Sequence, residues 1–260
     1  MEAQGFIEEV YRRMQRRSPE SIQSISFEEM CKDPLVKNTV LNFQYLMPKD
    51  KNAAILDIGF GSGWFIAAAI LLGYQNIYAA EYGTENRQYI YDWSPSVKNI
   101  YEVDSSIGDF LSDKPESFAF IHLSHVIEHI PKYHLLFVVD ALYRALTIEG
   151  ILFLRTPNME GPCALSSLYV TLGHEYGFTG SNLRSLLEIC NFDNVKYHEL
   201  LNLRPNIKQR IGLYLRRPFL RWQAIKHRLF GVNMGGIFGP ELNISGKRGT
   251  RPALFNIKYR

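Results

Sequence analysis

Three ionisable residues, His125, Glu128 and His129, follow an apolar run at a spacing that suits acid–base chemistry. Residues at positions i, i+3 and i+4 lie on one side of a helical turn. A histidine can take the proton from a hydroxyl nucleophile near neutral pH, and a neighbouring carboxylate can orient its ring. The segment therefore predicts a general base in His125 or His129, with Glu128 as its partner. In the alternative interpretation, these side chains only organise the wall of a site. His174 is a third candidate base.

The apolar run before these residues predicts the strand that positions them. It spans residues 118–123, and its His122 is predicted to be a buried core histidine. Open α/β sheets bind ligands beyond the carboxyl ends of their central strands. A strand that ends here would therefore carry the ionisable residues to a ligand crevice.

A second segment has the spacing of a ligand-binding loop. In the pattern Asp57-x-Gly59-x-Gly61-x-Gly63, the glycines join an apolar run, residues 53–56, to a helical pattern. Glycine permits a tight turn and a close approach of backbone to ligand. The dinucleotide fingerprint G-x-G-x-x-G would place its third glycine at position 64, which is a tryptophan.

Glu81 ends the next predicted strand, 24 residues after Asp57. A carboxylate at that place can accept hydrogen bonds from both ribose hydroxyls of a nucleoside ligand. The alternative is an ordinary surface carboxylate at the end of a strand.

These motifs together resemble those of class I methyltransferases that use S-adenosylmethionine (SAM). The glycine pattern resembles their first motif. The segments 124–131, 149–158 and 174–192 resemble a subgroup that includes ubiquinone-biosynthesis O-methyltransferases and bacterial sugar and cell-surface-glycan methyltransferases. The order of motifs holds from about residue 53 to residue 201.

The resemblance implies a Rossmann-like, doubly wound sheet of seven mostly parallel strands, the last of them antiparallel. It implies four segments: an N-terminal helical lid (1–50), a SAM-binding core (51–202), a basic helical insertion (203–250) and the final strand (251–260). It also implies that the residues contacting SAM are Asp57, Gly59, Gly61, Gly63, Glu81, Asp109 and Ser124.

The quinone-pathway relatives have an E-x-x-E-H arrangement that can hold a divalent cation. In this chain, His125 stands where the first carboxylate would be. Two histidines and a carboxylate could still bind a transition metal. Because of the departure, we expect no metal.

Composition is consistent with a cytoplasmic enzyme. The 260 residues suffice for one large α/β domain with an appendage. The three cysteines are far apart, which argues against a disulfide framework and against structural zinc. We expect neither a signal peptide nor a membrane span, because the chain has no N-terminal apolar run and no long apolar window.

Charge divides the chain sharply. From residue 202 onward there are 13 Lys and Arg against one acid, Glu241, a net charge of +12, so the total of +3 leaves −9 for the rest. Such a division predicts an acidic partner for the tail. Within the tail, Phe219, Trp222, Ile225 and Leu229 are predicted to share one helical face. This helix could lie on an anionic membrane, or it could pack on the sheet and turn its arginines toward a phosphorylated substrate.

The sequence thus predicts a SAM-dependent O-methyltransferase whose acceptor is a sugar hydroxyl on a nucleotide- or lipid-linked glycan precursor. A quinone or phenol acceptor is one alternative, and a SAM-binding subunit without catalysis is another. Nucleic acid is a disfavoured partner, because the chain has no recognised RNA-binding module.

Overall fold

The structure is a computed structural model that describes residues 25–82, 88–103, 106–200 and 239–255, together with six separate residues between positions 214 and 229. Those six are Tyr214, Pro218, Arg221, Trp222, Ile225 and Leu229. Residues 1–24, which hold much of the predicted lid, lie outside the described residues.

The described residues form one seven-stranded sheet, as the sequence predicted. Its strands are β1 (Ala54–Ile58), β2 (Asn76–Glu81), β3 (Val97–Glu102), β4 (Phe118–Ser124), β5 (Leu146–Pro157), β6 (Phe192–Tyr197) and β7 (Glu241–Arg248). Their order is β3-β2-β1-β4-β5-β7-β6, and only β7 runs antiparallel to its neighbours. β1 and β4 are apolar on both faces because each face is covered, which is typical of parallel strands.

Helices cover both faces of the sheet. They are α1 (Phe27–Met30), α2 (Pro34–Phe43), α3 (Trp64–Leu71), α4 (Ile107–Leu111), α5 (Leu135–Ala145), α6 (Ala164–Leu168) and α7 (Gly180–Ile189). Three short 3-10 helices span Gln88–Trp93, Ile127–His129 and Lys132–His134. None of the helices in the described ranges is long and apolar enough to cross a membrane.

The described part of the N-terminal segment belongs to the core. Phe43 of α2 is buried, and its ring meets the rings of Phe65, Phe120 and Phe153 edge-on. α2 therefore packs against α3 and one face of the sheet.

The predicted position of the last strand was wrong. Residues 251–255 are not in a strand, residues 256–260 lie outside the described residues, and β7 occupies 241–248 instead. Asp140 of α5 explains the difference, because its carboxylate accepts a hydrogen bond from the amide of Leu254 at 2.6 Å and anchors that segment on the helix.

β7 also lies inside the segment 203–250 for which the sequence predicted a basic helical insertion, and Gly246 is one of the glycines of that segment. In the structure this glycine lies within the strand, where a Cβ would come within 2.9 Å of the Phe192 ring. Here glycine allows close packing of neighbouring strands rather than a loop.

Candidate active site

The candidate site lies beyond the carboxyl ends of β1 and β4, where the strand order reverses direction. Side chains alternate along β1, so that Ile55 packs with α3 on one face while Leu56 packs with α5 on the other. The connections after β1 and β4 therefore leave on opposite faces and open a crevice between them. This topological switch point is where open α/β sheets bind ligands.

The three glycines of the loop after β1 all have left-handed backbone, with φ of +73° at Gly59, +55° at Gly61 and +85° at Gly63. A Cβ on Gly59 would lie 2.3 Å from Val126, and one on Gly63 would lie 2.9 Å from Trp93. A Cβ on Gly61 would meet no described atom within 4 Å. At Gly59 and Gly63, the missing side chain leaves room for Val126 and Trp93. At Gly61 it leaves open space, so that a ligand could approach the backbone closely.

Glu81 lies beside that open space. Its Oε2 accepts a hydrogen bond from the Gly61 amide at 3.1 Å, and its Oε1 accepts one from the Tyr82 amide at 3.0 Å. The carboxylate predicted to bind ribose is therefore adjacent to the glycine loop.

Asp57 has a different environment from the other predicted cofactor residues. It is buried in β1, and its Oδ1 lies 2.7 Å from Nδ1 of His122 on the neighbouring strand. The His122 ring stacks on Phe65, with centroids 4.0 Å apart. His122 is buried as predicted, but among the described residues neither its Nε2 nor Asp57 Oδ2 has a hydrogen-bond partner. The pair links β1 to β4 beneath the loop.

Asp109 and Ser124, the other predicted cofactor residues, lie at the ends of different elements. Asp109 is exposed in α4, and its Oδ2 accepts a hydrogen bond from the Ser106 hydroxyl that caps this helix. Ser124 is the half-buried last residue of β4. Its Cα is paired with that of Arg155 on β5.

His125 is held between two carboxylates. Its backbone is left-handed, with φ of +56°. Its Nδ1 lies 3.1 Å from Glu128 and its Nε2 lies 3.1 Å from Glu241. The hydrogen bonds to Glu128 and Glu241 raise the pKa of His125 to about 9. At neutral pH the ring is an imidazolium that donates from both nitrogens.

Glu128 is a buried organising residue. Its Oε1 contacts His125, and its Oε2 accepts a hydrogen bond from the hydroxyl of Thr156 at 3.0 Å. Its backbone carbonyl accepts hydrogen bonds from the amides of Glu175 and Tyr176. It therefore connects the loop after β4 to β5 and to the loop that carries His174.

Sequence reasoning missed three residues of this cluster: Arg155, Thr156 and Glu241. Arg155 Nε donates to Glu241 at 2.8 Å. Burial would raise the pKa of the Glu241 carboxyl, but the hydrogen bond from His125 and the charge of Arg155 outweigh it, so this pKa is lowered. One signal was present in the sequence, because Glu241 is the single acid of the basic tail.

The pKa of His129 is shifted in the direction opposite to that of His125. Burial is the largest influence on its ring and lowers its pKa. Nδ1 lies 2.8 Å from the carbonyl oxygen of Gly173. A carbonyl only accepts hydrogen bonds, so Nδ1 carries the proton of the neutral ring and Nε2 carries the lone pair. This is the tautomer that a general base needs.

His174 lies next to His129, with ring centroids 4.7 Å apart, and its Nδ1 is 2.7 Å from the Ser167 carbonyl. Glu128, His129 and His174 offer potential ligand atoms within 4.8 Å of one another. This set differs from the predicted alternative, because His174 replaces His125. That no metal is bound stays a prediction.

Comparisons with known proteins agree with this geometry. The profile of a family described as "Methyltransferase domain" matches residues 30–197. A SAM-dependent methyltransferase from Archaeoglobus fulgidus is similar at a TM-score of 0.54 and 18% identity, over 82% of this chain and 94% of that one. A search of curated protein sequences gives no match.

Two enzymes crystallised with S-adenosylhomocysteine share the fold. One is a phosphoethanolamine N-methyltransferase of Haemonchus contortus, with a TM-score of 0.54 and 14% identity over 82% of this chain and 53% of that one. The other is a 1,6-didemethyltoxoflavin N1-methyltransferase of Burkholderia thailandensis, with a TM-score of 0.54 and 12% identity over 94% and 86%.

The residues around the crevice fit the cofactor of such enzymes. Gly61 leaves the loop surface open, and Glu81 places a carboxylate beside it. The chain belongs to the methyltransferase domain family and is a SAM-dependent methyltransferase with a Rossmann-like fold.

Proposed function

We propose that the protein methylates a hydroxyl group and that His129 is the general base. The observation that carries the base assignment is the hydrogen bond of His129 Nδ1 to the Gly173 carbonyl, together with the lowered pKa of this ring. SAM, when bound, supplies an electrophilic methyl group. A hydroxyl acceptor must lose its proton as it attacks, and a neutral imidazole with its lone pair on Nε2 can take that proton.

His125 serves another purpose in this proposal. With a pKa of about 9, it is already protonated at neutral pH and cannot accept a proton there. Its contacts to Glu128 and Glu241 join the loop after β4 to the start of β7. His125 and Glu128 are therefore positioning residues for the segment that carries His129.

The proposed acceptor is a sugar hydroxyl on a nucleotide- or lipid-linked glycan precursor, handled in the cytoplasm. The net charge of +12 in the tail supports a phosphorylated acceptor, and so does the resemblance to glycan-modifying methyltransferases. A quinone or phenol carries no phosphate, so it would not account for the basic residues of the tail.

The test compares His129→Gln with His125→Asn, using a labelled methyl group from SAM and panels of nucleotide sugars, lipid-linked sugars and phenols. We expect His129→Gln to lower kcat by about 100-fold to 10,000-fold while its SAM affinity, measured by calorimetry, stays within about twofold. His125→Asn should retain considerably more activity, with a pH profile that still reports the base. Asparagine is suitable there because it tolerates the left-handed backbone.

Each other outcome would identify a different function. Transfer to phenols alone would establish the quinone-type alternative. SAM binding without transfer to any acceptor in the panels would favour a non-catalytic subunit. Loss of activity with a chelator, restored by a divalent metal, would replace the general base with a metal held by Glu128, His129 and His174.

A further inference from the structure

An apolar groove of about 470 Å³ lies between the start of α5 and one face of α7. The α7 residues at the groove recur every three or four positions from Ser181 to Ile189, and they therefore share one face of the helix. We call this cavity the α5–α7 groove. The apolar side chains that line it are those of Leu135, Leu136, Tyr176, Phe178, Leu186 and Ile189.

The α5–α7 groove has the size and composition of a small-molecule site. Such sites enclose about 300–1,000 Å³ and are lined mainly by apolar side chains, with a few polar groups that orient the ligand. Leu136 is 39% exposed and Ile189 is 53% exposed, so the groove leaves apolar surface open to water. An apolar ligand that covered this surface would be stabilised by its burial.

Lys132 supplies the one charged group among the described residues that line the groove. It is exposed, and its ammonium lies 5.5 Å from the centroid of the Tyr176 ring. No ion pair between described residues includes it. A lysine without a carboxylate partner, placed beside an apolar groove, can bind a phosphate group of the ligand.

The polar side chains of the groove do not suit a nucleotide. The Asn182 amide is already engaged, because its Oδ1 accepts a hydrogen bond from the Thr179 amide and its Nδ2 donates one to the Tyr176 hydroxyl. The Ser181 hydroxyl lies 3.2 Å from that of Thr179. A nucleobase in the groove would leave most of its polar groups unpaired, which costs free energy, whereas a hydrocarbon chain has no such groups.

The Lys132 end of the groove is close to the candidate site along the chain and through the backbone. Lys132 follows His129 by three residues, in the short 3-10 helix that precedes α5. The amide of Tyr176 donates a hydrogen bond to the carbonyl oxygen of Glu128 at 3.1 Å. Because α5 begins after the carboxyl end of β4, its first residues lie at the same edge of the sheet as the proposed general base.

We propose that the α5–α7 groove binds the apolar chain of a lipid-linked acceptor and that Lys132 binds its phosphate. In such an acceptor the phosphate joins the chain to the sugar. The order of chain, phosphate and sugar therefore matches the order of groove, Lys132 and His129. This choice of a lipid-linked over a nucleotide-linked acceptor rests on the proposed function, whereas binding of the chain and the phosphate can be measured without methyl transfer.

The experiment is calorimetric titration of the full chain with farnesyl phosphate, below the concentration at which it forms micelles. This probe has an apolar chain and a phosphate but no sugar. Ser185→Trp should bind it at least about 10-fold more weakly, because the indole takes the space of the chain. The matched control, Ser185→Ala, keeps the groove open and should bind like the wild type. If Ser185→Trp does not fold, Ile189→Asn replaces it and should weaken binding at least about threefold, because it removes apolar surface from the groove.

The role of Lys132 is tested separately. Lys132→Ala should weaken the binding of farnesyl phosphate by about 10-fold, because a charged hydrogen bond is lost. Its affinity for farnesol, which has the chain without the phosphate, should equal that of the wild type. Lys37→Ala removes an exposed lysine of α2 and should change neither affinity.

Three results would overturn the proposal: no binding of farnesyl phosphate by the wild type, equal binding by the groove variant and Ser185→Ala, or a dimer that is lost in the groove variant, which would assign the groove to a second copy of the chain. Methyl transfer to nucleotide sugars without farnesyl phosphate binding would refute the groove assignment and leave the proposed function intact. Farnesyl phosphate binding in the groove without methyl transfer to any sugar would support the groove assignment and contradict the proposed function.

Discussion

The two sides of the crevice are built in different ways. On the side predicted to bind the cofactor, the loop after β1 is shaped by backbone conformation, with three left-handed glycines within five residues. On the side proposed to bind the acceptor, side chains and carbonyls far along the chain hold the histidines in place. Glu241 is 116 residues from its partner His125, and Gly173 is 44 residues from His129. The conformation of the glycine loop is thus specified by nearby residues, whereas the arrangement of the histidines depends on contacts that form only when the sheet has assembled.

The largest effect we expect comes from a substitution in the glycine loop, the locally specified side of the crevice. Gly61→Val should weaken SAM binding by more than about 100-fold, because the added side chain fills the open space beside Glu81. The left-handed backbone adds a strain of about 1–2 kcal/mol. Calorimetric titration with SAM measures the loss.

Gly73→Val is the matched control. Gly73 also has left-handed backbone, with φ of +85°, and a Cβ there would likewise meet no described atom within 4 Å. It follows α3, at the end of that helix away from the glycine loop. If Gly73→Val keeps its SAM affinity despite similar backbone strain, the loss in Gly61→Val is due to the side chain in the ligand site and not to strain. Equal loss of affinity in both variants would contradict the assignment.

The difference between the two sides also explains what the sequence could predict. The glycine loop, Glu81 and the strand that became β4 were all predicted, because each depends on neighbours within about two dozen residues.

The long-range features could not be predicted in the same way. The role of Glu241 depends on the insertion of β7 beside β5, and no local pattern in the sequence predicts that pairing. Nor does the spacing of His125 and His129 show that one ring is charged and the other neutral. That difference arises from Glu241 beside one ring and the Gly173 carbonyl beside the other.

An intermediate effect is expected from Glu128→Gln on the long-range side. Glutamine keeps the shape and can still accept from Thr156, but the negative charge beside His125 is lost. We expect methyl transfer to fall by about 10-fold to 100-fold, as is typical when a group that orients catalytic residues is removed, with SAM affinity unchanged. Initial rates with labelled SAM measure this.

Glu241→Gln removes the other carboxylate from His125 and serves as the comparison. The side chain of Glu241 is less buried than that of Glu128, with 28% exposed against 3%, so we expect a loss of only about threefold. In both variants the pKa of His125 should fall toward 6.5, which NMR titration of the ring would detect. If both variants kept full activity, the cluster would have no part in positioning His129.

The smallest effect we expect is a pH dependence of stability at His125. The folded-state pKa of about 9 lies above the ordinary value of 6.5, so protonation of this ring favours the folded state. Its contribution is fully present below pH 6.5 and is lost as the pH rises through 9. Because the side chain is 44% exposed, solvent screening limits the contribution to about 1 kcal/mol or less.

The measurement is the difference in free energy of unfolding between the wild type and His125→Asn, from denaturant titrations at pH 6 to pH 10. We expect a plateau up to about pH 6.5 and a decline between about pH 6.5 and about pH 9, the ordinary and the folded-state pKa values. His198→Asn supplies a contrast, because burial lowers the pKa of His198 and any pH dependence should fall below pH 6.5 instead. A difference for His125→Asn that does not change with pH would mean that its ring is not held as a cation. His125 would then be a second candidate for the base, and the contrast between the two histidines would fail.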